Sequence, residues 1–115
     1  MAAMIVLSTF PDEETARNAA EILIDKKIAA CVSIMPGLTS IYRWQGQIEN
    51  SREVLMMAKT TPDNYDRLES ALKACHPYEL PEILAVATEC GLPDYLQWVA
   101  QETAPDNENS NERLP

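Results

Sequence analysis

The chain has little of what most catalytic sites require: one histidine, three glycines and three cysteines in 115 residues. With His76 alone, no Ser-His-acid triad can be drawn. A Cys-His dyad would need thiol and imidazole face to face, which sequence neighbours such as Cys75 and His76 rarely achieve. Gly37, Gly46 and Gly91 lie too far apart in sequence to build a phosphate-cradling loop. Cys31, Cys75 and Cys90 are odd in number and lack Cys-x-x-Cys spacing, a pattern of reduced thiols and not of a disulfide framework or structural zinc. Basic residues are scarce too: nine against eighteen acidic side chains give a net charge of −9. Such a surface repels phosphates, so nucleic acid is not an expected partner, and it draws cations only diffusely. No apolar run approaches the ~18 residues of a membrane span, and no basic segment leads into a cleavable apolar one near Met1. The expectation is a cytoplasmic binding protein, not an enzyme, with no membrane contact.

What is present orders into alternating elements. Ile5-Val6-Leu7-Ser8-Thr9-Phe10 reads as a strand stopped by Pro11. Asp12 can cap a helix over about 12–26, with Glu13 and Glu14 in its first turn and Ala16, Ala19, Ala20 and Leu23 on one face. A second strand starts near Ile28, bends or bulges at Pro36-Gly37 and resumes as Thr39 to Trp44. Gln45-Gly46 is the expected hairpin tip. The return strand begins near Ile48, is expected to break around Asn50-Ser51, and continues from Glu53 to Thr60. Thr61-Pro62 opens a second helix, with Thr61 as its N-cap. Tyr65, Leu68, Leu72 and Cys75 share one face of that helix, which points to an inert, buried thiol at Cys75. Met56 and Met57 are adjacent in a strand and face opposite ways, so they read as core filler and not as a copper thioether pair. Cys31 sits within an apolar strand and is likewise expected to be inert.

The segment His76-Pro77-Tyr78-Glu79-Leu80-Pro81-Glu82-Ile83 is the most informative. Each proline fixes its own φ and pushes the preceding residue out of the helical region, giving a stiff link between helix and strand. A buried strand, Ile83 to Ala87, follows, and Gly91-Leu92-Pro93 opens a short last helix. The order is β-α-β-β-α-β with an added C-terminal helix: α+β, the ferredoxin-like split βαβ arrangement. Residues 1–103 form this domain, and 104–115 read as a disordered acidic tail. Two helices cover one face of a four-stranded sheet, yet several strands are apolar on both faces. Burying even ~500 Å² of such surface is worth on the order of 12 kcal/mol before association costs. The second face is therefore expected to pack on other copies of the chain.

Ala29-Ala30-Cys31-Val32, Tyr42-Arg43-Trp44-Gln45-Gly46-Gln47-Ile48-Glu49 with Glu53, Lys59-Thr60, His76 to Glu82, and Tyr95-Leu96-Gln97-Trp98 together make the chain resemble the CutA family. Its members are also called CutA1 or divalent-cation tolerance proteins. The resemblance spans roughly residues 4 to 103. It implies a ferredoxin-like subunit in a homotrimer crossed by long hairpins, a fold similar to the PII signalling proteins, and tolerance of copper and other divalent metal ions. It also implies a metal site at a first-strand cysteine and paired histidines before Pro-Tyr. Here these positions are Ser8 and Cys75-His76, so Cys75 and His76 are the metal candidates, with weak binding of copper or another divalent ion expected. The other reading is a PII-like module that takes a small anion or a partner protein in an intersubunit cleft lined by Tyr42, Trp44, Lys59, Tyr78 and Glu79. Otherwise those rings pack on a neighbouring subunit, with Glu49 and Glu53 paired to Arg43, Arg52 or Lys59.

Overall fold

Asp12 sets the first boundary. Its Oδ1 accepts the Thr15 N–H at 2.8 Å, and the helix α1 runs Glu13–Asp25 behind the strand β1, Met4–Phe10. In this computed structural model, which describes residues 2–105, β2 (Cys31–Trp44) and β3 (Gln47–Thr60) form the long hairpin. A 3₁₀ turn, Pro62–Asn64, leads into α2, Tyr65–Cys75. The strand β4, Leu84–Ala87, and the helix α3, Pro93–Glu102, complete the domain. The expected acidic tail lies outside the described residues from 106 onward.

The sheet order is β2-β3-β1-β4, and every neighbouring pair is antiparallel. Thus β3 splits the β1-α1-β2 unit and β1 splits β3-α2-β4, the ferredoxin-like topology. Cross-strand partners share a face, so Val6, Ser8 and Phe10 sit with Ala58, Met56 and Val54. The helices cover this face: Ala16, Ala19 and Leu23 of α1 and Leu68 and Leu72 of α2 close the core upon it.

The opposite face carries Ile5 and Leu7 of β1 beside Val86 and Leu84 of β4. Leu84 is 59% exposed and Val86 51%, so the strand expected to be buried is an open apolar edge in the single chain. Met56 is fully buried while Met57 is only half-buried, as strand alternation requires.

The hairpin runs past the rest of the sheet. β1 ends at Phe10 opposite Val54, whereas β2 and β3 stay paired from Leu38↔Glu53 to Trp44↔Gln47. A bulge at Pro36-Gly37 shifts the register once, between Met35 and Leu38. Gly37 has φ 89°, a backbone shape that disfavours other residues. Gln45 and Gly46 turn the tip with φ of 52° and 81°, the left-handed pair a two-residue hairpin needs. The expected break at Asn50-Ser51 is absent. Asn50 pairs Ile41 and Ser51 pairs Ser40 in unbroken register. Residues 41–50 are all exposed, so polar side chains meet water and give the strand no reason to break. The radius of gyration, 16.0 Å, exceeds the roughly 13 Å of a compact chain near 100 residues because of this arm.

Two smaller expectations also change. Ile28 to Ala30 precede β2 as a loop, buried at Ile28 and Ala29, and do not belong to it. Thr61 offers no side-chain cap to the backbone; its Oγ1 accepts from Asn64 Nδ2 at 2.9 Å.

Candidate functional site

Pro77 shapes the site locally. His76 ends α2 with φ −75° and ψ 136°, the extended geometry a residue before proline adopts, and its N–H still closes on the Leu72 carbonyl. This turn carries the imidazole under the end of β1. Its Nε2–H donates to the Thr9 carbonyl at 2.9 Å, and its Nδ1 accepts the Tyr78 N–H at 3.1 Å. A carbonyl can only accept and an amide N–H can only donate, so the two bonds fix the neutral tautomer. The ring stacks on Phe10 at 4.2 Å and 24°, and the Tyr78 ring lies 5.0 Å away, tilted by 41°.

Tyr78 then reaches the root of the hairpin arm, where its Oη donates to Glu53 Oε2 at 2.7 Å. Glu53 is 8% exposed, so this bond serves a buried carboxylate. Burial, and then Glu53, push the Tyr78 pKa well above its usual value. Tyr42 belongs to the same group. Its Oη lies 3.3 Å from Ser51 Oγ, and its phenol is near enough to add to the upward shift at Tyr78. The carboxyl of Glu82 is raised above its ordinary range by lost hydration and by Glu53. The arm root is thus a chain of bonded groups running Thr9, His76, Tyr78, Glu53.

Within one chain, Lys59 and Trp44 of the expected intersubunit cleft lie apart from the arm root. Lys59 pairs with Cys31 at the far end of β3, and six residues of strand from Glu53 are about 20 Å. There its ammonium donates to Ser33 Oγ and towards Cys31 Sγ. Trp44 sits at the arm tip, 41% exposed, and Glu79 is exposed in the connector. One chain brings together Tyr42 and Tyr78 only. Among the described residues Glu49 and Glu53 do not pair with Arg43, Arg52 or Lys59, whereas Arg17 and Glu13 approach to 4.0 Å on α1. Glu53 as the centre and Glu82 as its neighbour are additions that local spacing could not supply, although Glu53 already stood out as an acid beside an aromatic hairpin.

Cys75 is exposed, contrary to the buried thiol read from its helical face. It falls at the last turn, past the core contacts of Leu68 and Leu72, and its Sγ donates to the Leu72 carbonyl at 3.7 Å. Loss of hydration is the main cause raising its pKa, with Lys26 pulling the other way, so the thiol form is favoured. His76 has both nitrogens engaged. Among the described residues no three His, Cys, Asp or Glu side chains converge on a possible cation position. Within one chain, these donors do not fit a closed metal site.

Ser8 also departs from a ligand role. It is fully buried, and its Oγ has no hydrogen-bond partner among the described residues. Leaving a hydroxyl in that state costs about 1–3 kcal/mol. Ser8→Ala is accordingly expected to raise unfolding stability by about 1 kcal/mol, measured by denaturant titration.

A split-βαβ sheet with one covered face and one open apolar face, joined to a projecting hairpin, defines a ferredoxin-like subunit with a hydrogen-bonded arm root. The profile described as CutA1 divalent ion tolerance protein matches residues 4–102. The Divalent-cation tolerance protein CutA of Thermus thermophilus is 46% identical over 99 residues, covering 86% of this chain and 96% of that relative. Its namesake from Citrobacter koseri is 43% identical over 97 residues, covering 84% of each. The crystal structure of CutA from Xylella fastidiosa superposes with a TM-score of 0.87 at 39% identity, covering 89% of this chain and 98% of that one. The chain belongs to the CutA1 divalent ion tolerance protein family. No helix among the described residues is long and apolar enough to cross a membrane.

Proposed function

We infer that this protein acts as a homotrimeric, cytoplasmic divalent-cation tolerance protein whose role is binding and assembly, not catalysis. The observation that carries this reading is the open apolar sheet face, edged by Leu84 and Val86, beside an arm whose residues 41–50 are all exposed among the described residues. Three copies would cover those faces and seat each arm against a neighbour. The free thiols Cys31, Cys75 and Cys90 suit a reducing compartment.

Copper or another divalent ion meets the subunit weakly and exchangeably. Cys75 is the accessible donor, and His76 joins only by surrendering the bond from the Tyr78 N–H. The His76 ring is first a structural link between α2 and β1. Isothermal titration with copper is expected to show binding that fades in Cys75→Ser and weakens in His76→Ala. Identical stoichiometry and affinity in both variants would remove Cys75 and His76 from the role.

The convergence of Tyr42, Tyr78 and Glu53 favours a second reading, a PII-like site for a small anion or partner protein at the arm root. Lys59, Trp44 and Glu79 would then come from neighbouring copies. Stabilisation of the trimer by an anion without metal, lost in Lys59→Ala, is the thermal-shift result that separates this reading from the first.

A further inference from the structure

The few cations of this acidic chain are not evenly spread. Lys26, Lys27 and Arg67 meet where the end of α1 faces the start of α2, and they line a cavity of about 420 Å³. Arg67 also lines a larger cleft of about 750 Å³, whose walls include Ala2, Pro62, Ala100 and Ala104. That volume falls within the roughly 300–1,000 Å³ of small-molecule sites.

The guanidinium is held in place from behind. Nη1 donates to Asn64 Oδ1 at 3.0 Å and Nη2 to the Lys26 carbonyl at 3.4 Å. Asn64 is itself buried, and its Nδ2 donates to Thr61 Oγ1 at 2.9 Å and to the Thr103 carbonyl at 3.4 Å. A guanidinium has five N–H donors, and these two bonds leave others for a ligand. Acidic residues outnumber basic ones two to one, eighteen against nine. Yet among the described residues Arg67 is in no ion pair, although Asp63 lines the larger cavity and Asp25 the smaller one.

We propose that this cleft binds a small organic monocarboxylate, its carboxylate on the Arg67 guanidinium and its apolar body against the alanine and proline walls. The planar fork of arginine matches a carboxylate, and the walls reward a hydrocarbon body that inorganic phosphate lacks. The carboxylate of Asp63 in the cleft lining disfavours more highly charged anions. The site lies apart from the arm root and does not depend on the role inferred there.

The test is titration of the full-length protein with benzoate and butyrate, and with acetate and inorganic phosphate as controls, at low salt by NMR. Benzoate and butyrate are expected to bind saturably and more tightly than either control, shifting resonances around Asn64, Arg67 and Ala100. Arg67→Gln should weaken them by about tenfold or more, the usual worth of a charged hydrogen bond. Ala100→Leu fills the cleft without touching the Arg67 contact to α1, and should abolish binding even if Arg67→Gln folds poorly. Three results overturn the proposal: no saturable binding, unchanged affinity in both variants, or binding that appears only when Asp106, Glu108 and Glu112 are neutralised. The last would make the cleft a seat for the chain's own C-terminal carboxylates.

Discussion

Val86→Glu is expected to leave folded single subunits in place of the proposed trimer. Val86 lies opposite Ile5 on the open face and is half exposed in the isolated chain, so a carboxylate there disturbs little within the monomer. In an assembled trimer the same carboxylate would lie between apolar strands, where an unpaired charge costs several kcal/mol. Each 1.4 kcal/mol is tenfold in affinity, so association should weaken at least 1,000-fold. Size-exclusion chromatography with light scattering should show loss of the larger species, while circular dichroism keeps its signature. An Arg43→Glu control on the exposed arm face changes charge without entering an apolar patch, and helps separate burial from general repulsion.

Tyr78→Phe carries the second large effect. The phenol is the hydrogen-bond donor to the buried Glu53 carboxylate, and its removal should lower stability by about 2 kcal/mol, since a bond to a charged group is worth roughly 1.5–3 kcal/mol. The ring itself, and its contact with His76, would remain. His76 gives the same network a pH signature. Burial lowers its pKa from the ordinary 6.5, outweighing opposite pulls from the Thr9 carbonyl and Glu53. The unfolded chain therefore takes up the proton first as pH falls. Stability is full above 6.5 and is lost as the pH drops from there through the lower folded value. Protonation also makes Nδ1 a donor and deprives the Tyr78 N–H of its acceptor. Denaturant midpoints followed from pH 7.5 to 5 should fall in the wild type and fall less in His76→Gln. Equal slopes in the two proteins would refute this account of the imidazole.

Much of the architecture was legible because each boundary has a local chemical cause. Asp12 caps, Pro36-Gly37 bulges, Gln45-Gly46 turns, and Pro77 ends α2, all at the positions their residue types dictate. The break expected at Asn50-Ser51 illustrates the limit. Polarity interrupts a strand only where a face must be buried, and the arm buries neither of its own. The reading of Cys75 failed for a related reason: helical spacing places a residue on a face, but that face no longer meets the core at the final turn. The Tyr78–Glu53 bond spans 25 residues and depends on how the connector returns to the arm, which no local pattern contains. The motif from His76 to Glu82 is legible as a stiff connector, whereas the hydrogen bonds that occupy the imidazole are visible only in three dimensions.

Sedimentation equilibrium of the wild-type protein at micromolar dilution tests the central claim, that identical subunits shelter each other's open sheet faces. A species of three times the 12.8 kDa chain mass, persisting on dilution, is the predicted result. A stable, folded species at the mass of one chain would contradict it.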